Sequence, residues 1–355
     1  MRQSQIPYPI DSKEKTVDYR GGNIVNILVI HSHNANRGDE AAVKAMVDEL
    51  LIKYPGATIT ISNNGFTPYP GMPENVIQID RFPNLESRMA QLEFFIVLLF
   101  KGKFAFTKEA RKFIRALKEA DVVLHAPGGP SIGDTYFKAE KLYLWRLNLI
   151  RRMGIPYIFY APSMGPFNCT SRNKLRKEVI SGAERIVLRD PISVKYVKDF
   201  LPGVEVEQAL DSALQHDIDI DKNERKYNNY PELKNFIENH EKCIGITITD
   251  LKWHPVHKNE KIIEQIPTAF KAFITQKVKE GYGVVFIPQL YGNLNDTKVM
   301  NDYMLDSDTF MIDAFSEERD TYFQQYVIGK LYAVVGMRYH SNIFSAKMGI
   351  PFVSV

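Results

Sequence analysis

The chain has 355 residues, 45% hydrophobic and 25% charged, which are ordinary globular values and exclude a disordered, fibrous or multispan membrane protein. Its 45 Lys and Arg against 42 Asp and Glu leave a formal charge of +3, too small and too evenly spread to imply a nucleic-acid partner. The two cysteines, Cys169 and Cys243, stand far apart without metal-ligand spacing, so neither a zinc site nor a disulfide is predicted, and a reducing cytoplasm fits best.

Residues 1–20 are polar and contain proline, without the apolar stretch of a secretory signal. From residue 26 onward short β-branched runs alternate with longer helical patterns, the signature of βα units around a parallel sheet. Residues 26–30 read as the first buried strand and 39–53 as its helix, with Asp39 and Glu40 in the first turn, where they favour the helix dipole. Further strands are predicted at 57–61, 76–79, 121–125, 156–161 and 185–188. The longest apolar run, residues 94–100, falls far short of the ~20 residues that span a bilayer. It is predicted as a core helix, with an interfacial helix as the alternative, and peripheral membrane contact follows only if the run is exposed.

Residues 216–242 turn polar and lack a strand pattern, which predicts a linker with a bridging helix between domains at 1–215 and 243–355. After it the βα alternation restarts at 243–249 and continues through 284–288, 310–312 and 332–335. The chain ends on a further run, 351–355, read as a buried strand; a domain seldom stops there without a covering helix, so additional C-terminal residues are expected. The fold class is therefore α/β, with two Rossmann-like domains facing a cleft.

Ligands of open parallel sheets bind beyond the carboxyl ends of the strands, so the candidates are the residues that follow each predicted strand. Gly128 and Gly129, with Gly133 and Asp134, would let backbone amides approach a ligand near a helix start, or serve only as a tight turn. Asn36, Arg37, Gly38 and Asp39 combine a cation with a helix N-terminus and suit an anion, or form a solvated capped loop. They lack the Lys-Ser/Thr ending of a P-loop and the three-glycine spacing of a dinucleotide fingerprint. The stretch from Gly336 to Phe344 is the most specific. Arg338 offers a planar fork for a carboxylate or phosphate, His340 titrates near neutrality, and Ser341 follows; the bland alternative is a buried structural pair. Ser163 and Gly165 are weaker candidates, as are His254 and His257, which lack a third metal ligand. Arg189, Asp190, Ser193 and Asp211 follow strands too, as helix caps or as positioning groups.

Six ordered blocks resemble the polysaccharide pyruvyl transferase family: Asn36-Arg37-Gly38-Asp39-Glu40-Ala41, the Gly128-Gly129 loop ending in Gly133-Asp134, residues 161–166, Arg189-Asp190 with Ser193, Asp211, and Gly336-Met337-Arg338-Tyr339-His340 leading to Gly349-Ile350-Pro351. The resemblance implies a fold like the GT-B glycosyltransferases and transfer of a pyruvyl group from phosphoenolpyruvate onto two hydroxyls of a sugar or lipid-linked oligosaccharide as a cyclic ketal. It implies no cofactor and no metal. Arg338 and His340 would then be the catalytic pair at the donor, with the Gly128-Gly129 and Arg37 loops closing on it from the opposite domain. A nucleotide-sugar glycosyltransferase and a non-catalytic carbohydrate-binding protein are the alternatives, and no oligomeric state is assigned.

Overall fold

The computed structural model describes residues 25–33, 35–64, 68–83, 87–253, 261–292 and 295–355. The chain forms two compact units, one of Met1–Asn34 and Ala42–Gln215, the other of Ala35–Ala41 with His216–Val355. Among the described residues no helix is long and apolar enough to cross a membrane.

In the first unit the elements are β1 (Asn26–Ser32), α1 (Arg37–Lys53, whose residues up to Ala41 fall in the second unit), β2 (Thr58–Asn63), β3 (Val76–Ile79), α2 (Arg88–Leu99), α3 (Lys108–Glu119), β4 (Val122–His125), β5 (Gly128–Ile132), α4 (Phe137–Met153), β6 (Tyr157–Tyr160), β7 (Pro162–Met164), α5 (Asn173–Ser181), β8 (Arg185–Leu188), α6 (Pro191–Phe200) and β9 (Glu207–Gln208). Seven strands form an all-parallel sheet in the order β3-β2-β1-β4-β6-β8-β9. Side chains alternate across β1: Leu28 and Ile30 pack with α2, α3 and α4 through Phe94, Phe113 and Leu147, whereas Ile27 and Val29 pack against Val43 and Val47 of α1. Both faces of the sheet are therefore covered, which is why its strands read as continuous apolar runs. Beyond β4 and β6 the chain forms a second, two-stranded sheet, β5 with β7.

The second unit holds α7 (Ile220–Asn228), α8 (Pro231–Glu238), β10 (Cys243–Thr247), α9 (Ile266–Lys279), β11 (Gly283–Phe286), α10 (Asp296–Met300), β12 (Thr309–Met311), α11 (Thr321–Ile328), β13 (Ala333–Gly336), α12 (Tyr339–Lys347) and β14 (Phe352–Ser354). Its parallel sheet runs β12-β11-β10-β13-β14. Residues 216–242 are two short helices rather than one, and Tyr227 of α7 lies 5.9 Å ring to ring from Tyr326 of α11. The last strand departs from its expected burial: β14 is a sheet edge, paired only with β13, and Phe352 and Val353 are exposed.

The apolar run at 94–100 is buried on one side only. Phe94 and Val97 enter the core, whereas Met89, Leu92, Phe95 and Leu99 of α2 are exposed, Phe95 to 60%. Glu93 is buried and accepts the N–H groups of Phe106 and Thr107 at 2.8 and 2.7 Å, which pins the α2–α3 turn in place.

Candidate active site

Strand order in the second unit reverses between β10 and β13, and the carboxyl ends of two such strands are where an open parallel sheet leaves a ligand crevice. Arg338 is the N-cap residue of α12 directly after β13, and His340 lies in the helix's first turn. Ser341 ties this corner together. Its buried hydroxyl donates to the Arg338 carbonyl at 2.6 Å and lies 2.9 Å from Oγ1 of Thr247 at the end of β10.

Arg338 is not a bare cation. Its Nε at 3.1 Å and its Nη2 bond the two carboxylate oxygens of Asp296, and Nη2 also donates to Thr249 Oγ1 at 2.6 Å. Asp296 is buried and accepts the N–H groups of Gln289 and Leu290 at 3.0 and 2.8 Å as well. This pairing fixes the guanidinium plane and offsets most of its charge; among the described residues no partner occupies Nη1, the one nitrogen left for an anion. Thr249 also lines a cavity of about 690 Å³ beyond β10, within the size range of small-molecule sites. Its polar rim is Asp250, Lys252, Lys271, Lys298, Asp302 and Tyr303, so three ammonium groups supplement the partly spent charge of Arg338. Sequence reasoning missed Asp296, Thr249, Lys271 and Lys298, because Asp296 lies 42 residues from Arg338 and nothing local pairs them, whereas Lys252 lies in a stretch, 252–258, read as a candidate acceptor lining.

His340 is almost fully buried, between the rings of Tyr339 at 5.2 Å and Phe344 at 6.2 Å. Gly38 presses against it so closely that a Cβ there would lie 2.2 Å from His340 Nδ1. Two blocks three hundred residues apart thus meet: the Asn36-to-Glu40 turn belongs to the second unit, not to the opposite one as expected. Asn36 caps α1, accepting the Gly38 N–H at 2.9 Å and donating to the partly exposed carboxylate of Asp39 at 3.0 Å.

Arg37 does not present a cation to a ligand. It is wholly buried, with Nη1 on Glu40 at 2.6 Å, Nη2 on the carbonyls of Ala314 at 2.6 Å and Ser316 at 3.1 Å, and its plane over the Tyr291 ring at 4.3 Å. Glu40 in turn accepts from the Thr321 N–H and the Tyr291 hydroxyl, each at 3.2 Å. The turn is a rivet in the second unit, and the anion-holding role read from its sequence lacks a free guanidinium.

In the first unit Gly128 and Gly129 are not a loop over a ligand but the start of β5, paired with β7 in the register Gly128↔Pro162. Gly133, at φ 136°, donates its N–H to Glu140 at 2.8 Å, and a Cβ on it would lie 2.6 Å from the Gly165 backbone. Gly165, at φ 89°, faces the Tyr196 ring equally closely. Asp134 is committed to Arg176 at 2.7 Å and to the N–H groups of Asn168 and Cys169. Ser163 lies in β7, where its hydroxyl donates to Asp190 at 2.8 Å and accepts from Arg189 Nε at 2.9 Å; Arg189 also pairs with Asp211 at 2.7 Å. Asp190 caps α6 through the Ser193 N–H at 2.7 Å. His254 and His257 lie outside the described residues, among which no cluster of three or more His, Cys, Asp or Glu is arranged to hold a metal ion.

The sequence profile of the polysaccharide pyruvyl transferase family matches residues 36–355, and no curated protein matches the chain. Among solved structures it is similar to Staphylococcus aureus MnaA with UDP, at 10% identity and a TM-score of 0.55 over 93% of this chain and 79% of that one. It is also similar to UDP-N-acetylglucosamine 2-epimerase from Rickettsia bellii, at 9% identity and a TM-score of 0.51 over 93% and 78%. The enzyme of that name from Neisseria meningitidis, bound to UDP-GlcNAc, matches at 13% identity and a TM-score of 0.50 over 92% and 81%. Such likenesses concern the fold alone, an α/β architecture of GT-B type with parallel sheets. Matched by the family profile over nearly its whole length, the chain is a transferase enzyme that belongs to the polysaccharide pyruvyl transferase family.

Proposed function

We propose that the enzyme transfers the pyruvyl unit of phosphoenolpyruvate onto two hydroxyls of a sugar, forming a cyclic ketal and releasing inorganic phosphate. One hydroxyl adds to C2 of the donor as the methylene carbon takes up a proton; the second then displaces phosphate, which leaves with the other hydroxyl proton. A site for this reaction needs cationic anchors for a carboxylate and a phosphate and one group that moves a proton. The observation that carries the reading is Arg338 at the β10/β13 reversal of strand order, bonded to Thr249 of the lysine-rimmed cavity, with His340 two residues on in the first turn of α12. Arg338 Nη1 holds one donor oxyanion, Lys271 and Lys298 neutralise the other, and His340 exchanges the proton. The reaction needs no cofactor.

Calorimetry with phosphoenolpyruvate and phosphate release with a diol sugar test the reading, beside UDP- and GDP-sugars as competitors. Donor binding in the parent, weakened in R338K and retained in H340N with turnover lost, supports it. Binding of a nucleotide sugar in place of phosphoenolpyruvate would make the enzyme a glycosyltransferase instead.

A second observation concerns where the acceptor is met. Met89, Leu92, Phe95, Leu99, Phe104 and Phe106 form an exposed apolar surface on α2 and the turn after it, bordered by exposed Lys101, Lys103, Lys108, Arg111 and Lys112. Apolar side chains ringed by cations suit the headgroup boundary of an anionic bilayer. We therefore propose a cytoplasmic enzyme docked on the membrane through α2, acting on a lipid-linked acceptor. Flotation with anionic vesicles, lost in F95D/L99D, supports the docking; a parent that stays in the soluble fraction overturns it, and vesicle-independent dimerisation lost in the same variant assigns the face to a second copy of the chain.

A further inference from the structure

Among the described residues three arginine side chains are wholly buried, and two carry their counter-charge within the fold, Arg37 on Glu40 and Arg176 on Glu140 and Asp134. Arg146 of α4 does not. Its Nε donates to the Phe82 carbonyl and its Nη1 to Asn64 Oδ1 at 2.7 Å, both neutral acceptors; among the described residues Nη2 has no partner and no carboxylate pairs with it. Burial, opposed in part by Tyr143 and reinforced by the nearby charge of Arg81, pushes its pKa down to about 9.

Three residues earlier on α4, the Tyr143 hydroxyl lies 3.1 Å from His33 Nε2, and its ring packs edge-on against His31 at 4.5 Å. His31 is buried near the end of β1 with a left-handed φ of 61°, and among the described residues neither of its ring nitrogens has a partner. At the end of β2, Ser62 Oγ, Asn63 Oδ1 and Asn64 Nδ2 are also buried without partners among the described residues. Native interiors leave few such atoms, and a non-glycine residue held at positive φ is typical of ligand sites. Here they gather where the first unit's strand order reverses, between β1 and β4, with His125 on the far side 4.6 Å from His31 and held by Ser131 Oγ at 2.6 Å.

We propose that this end of the first unit is an oxyanion site, in which Arg146 Nη2 takes one oxygen of a carboxylate or phosphate group and His31 bonds the hydroxyl or oxygen beside it. An anion supplies Arg146 with the counter-charge that the fold itself provides to Arg37 and Arg176. A neutral imidazole donates one bond and accepts another, which matches an acidic group flanked by a hydroxyl, as on a sugar acid or sugar phosphate. Phosphoenolpyruvate carries the same oxygens, so the ligand has two possible sources. The site does not rest on the pyruvyl-transfer reading.

The test uses the full chain at fixed ionic strength, with inorganic phosphate, glucuronate and phosphoenolpyruvate as probes and chloride as the control. Melting temperature and calorimetric affinity are read in the parent, R146Q, H31Q and R338K. The expected result is that at least one anion stabilises the parent and binds about tenfold or more weakly in R146Q, more weakly in H31Q, and unchanged in R338K. Glucuronate with that pattern makes the ligand an acidic acceptor; phosphoenolpyruvate with that pattern moves the donor to the first unit. If R146Q does not fold, H31Q carries the same readout. Failure of all three anions to stabilise the parent, or parental affinity in the folded variants, overturns the proposal, while loss of binding in R338K alone would leave the donor reading standing without it.

Discussion

Replacing Gly38 by alanine perturbs a single contact whose outcome two opposed magnitudes decide. Gly38 lies in the first turn of α1, where alanine is favoured over glycine by roughly 0.5–1 kcal/mol. Against this, the new Cβ would lie 2.2, 2.3 and 2.6 Å from Nδ1, Cγ and Cβ of His340, none of them the far end of a flexible side chain. Overpacking of this kind costs roughly 1–3 kcal/mol, so the steric effect wins and Gly38→Ala is expected to be net destabilising, by on the order of 1–2 kcal/mol. That lowers the melting temperature by a few degrees, at about 2–4 °C per kcal/mol for a domain of this size. Under the proposed role of His340 in proton transfer, activity is expected to fall further than stability, because moving a reacting group by about 1 Å costs on the order of 10²-fold in rate. Melting curves and phosphate release at saturating donor check both effects. A Gly38→Ala enzyme that melts at or above the parent and turns over normally would refute the reasoning.

Stability is expected to fall on acidification through the first-unit histidines. Burial, opposed in part by the bond to the Ala126 carbonyl, lowers the His125 pKa to about 4, so between there and the unfolded value of about 6.5 only the unfolded chain takes up the proton. The contribution is whole above about pH 6.5 and is lost as pH falls toward 4, about 3 kcal/mol in total, with His31 shifted the same way; urea titrations across this window should steepen in the parent and flatten in His125→Asn, and equal slopes would count against the burial. Arg176→Met should cost about 3–5 kcal/mol because it removes the cation on Asp134 and leaves buried Glu140 with Arg172 alone, whereas Arg146→Met should cost less, and the reverse order in denaturant midpoints would contradict the charge assignment. Gly133→Ala, which strains φ and collides with the Gly165 backbone, should destabilise by at least about 2 kcal/mol in the same assay, and a neutral result would remove the close approach.

The fold was legible where burial on both faces imposes an unbroken apolar run. Strands at 76–79 and 185–188 lie where the pattern put them, and α1 and β10 begin within two residues of expectation. What stayed hidden depended on distant partners. Gly128–Ile132 and Pro162–Met164 contain little that favours a strand, and only their mutual pairing makes them one. The run 94–100 is apolar on every side, so periodicity offers no direction by which to separate its buried face from its exposed one. Arg338 and His340 were legible as a motif, and their approach to the Asn36 block followed from family resemblance rather than from any local signal. Arg37 looked available because its second set of partners, the carbonyls of Ala314 and Ser316, lies 277 and 279 residues away. Arg146 was legible only as one of the Lys and Arg residues at 136–152 that could line an acceptor site or simply pack at the surface, since an arginine on an amphipathic helix reads as a solvated side chain until its burial is known.

The small sheet of β5 and β7 also bears on how this enzyme can change. Surface loops ordinarily vary one at a time, because an insertion in one leaves its neighbours' backbone bonds intact. Here the segments after β4 and β6 are zipped to each other, and beyond the pair Ile132 accepts from the Gly165 N–H at 2.8 Å while Asp134 donates its N–H to the Pro166 carbonyl at 2.8 Å. A lengthened segment at 126–135 breaks this zipper unless 161–168 changes with it, so the two behave as one evolutionary and engineering unit. Loop grafts between relatives should be made as matched pairs, and libraries randomising either segment alone will return mostly unfolded protein.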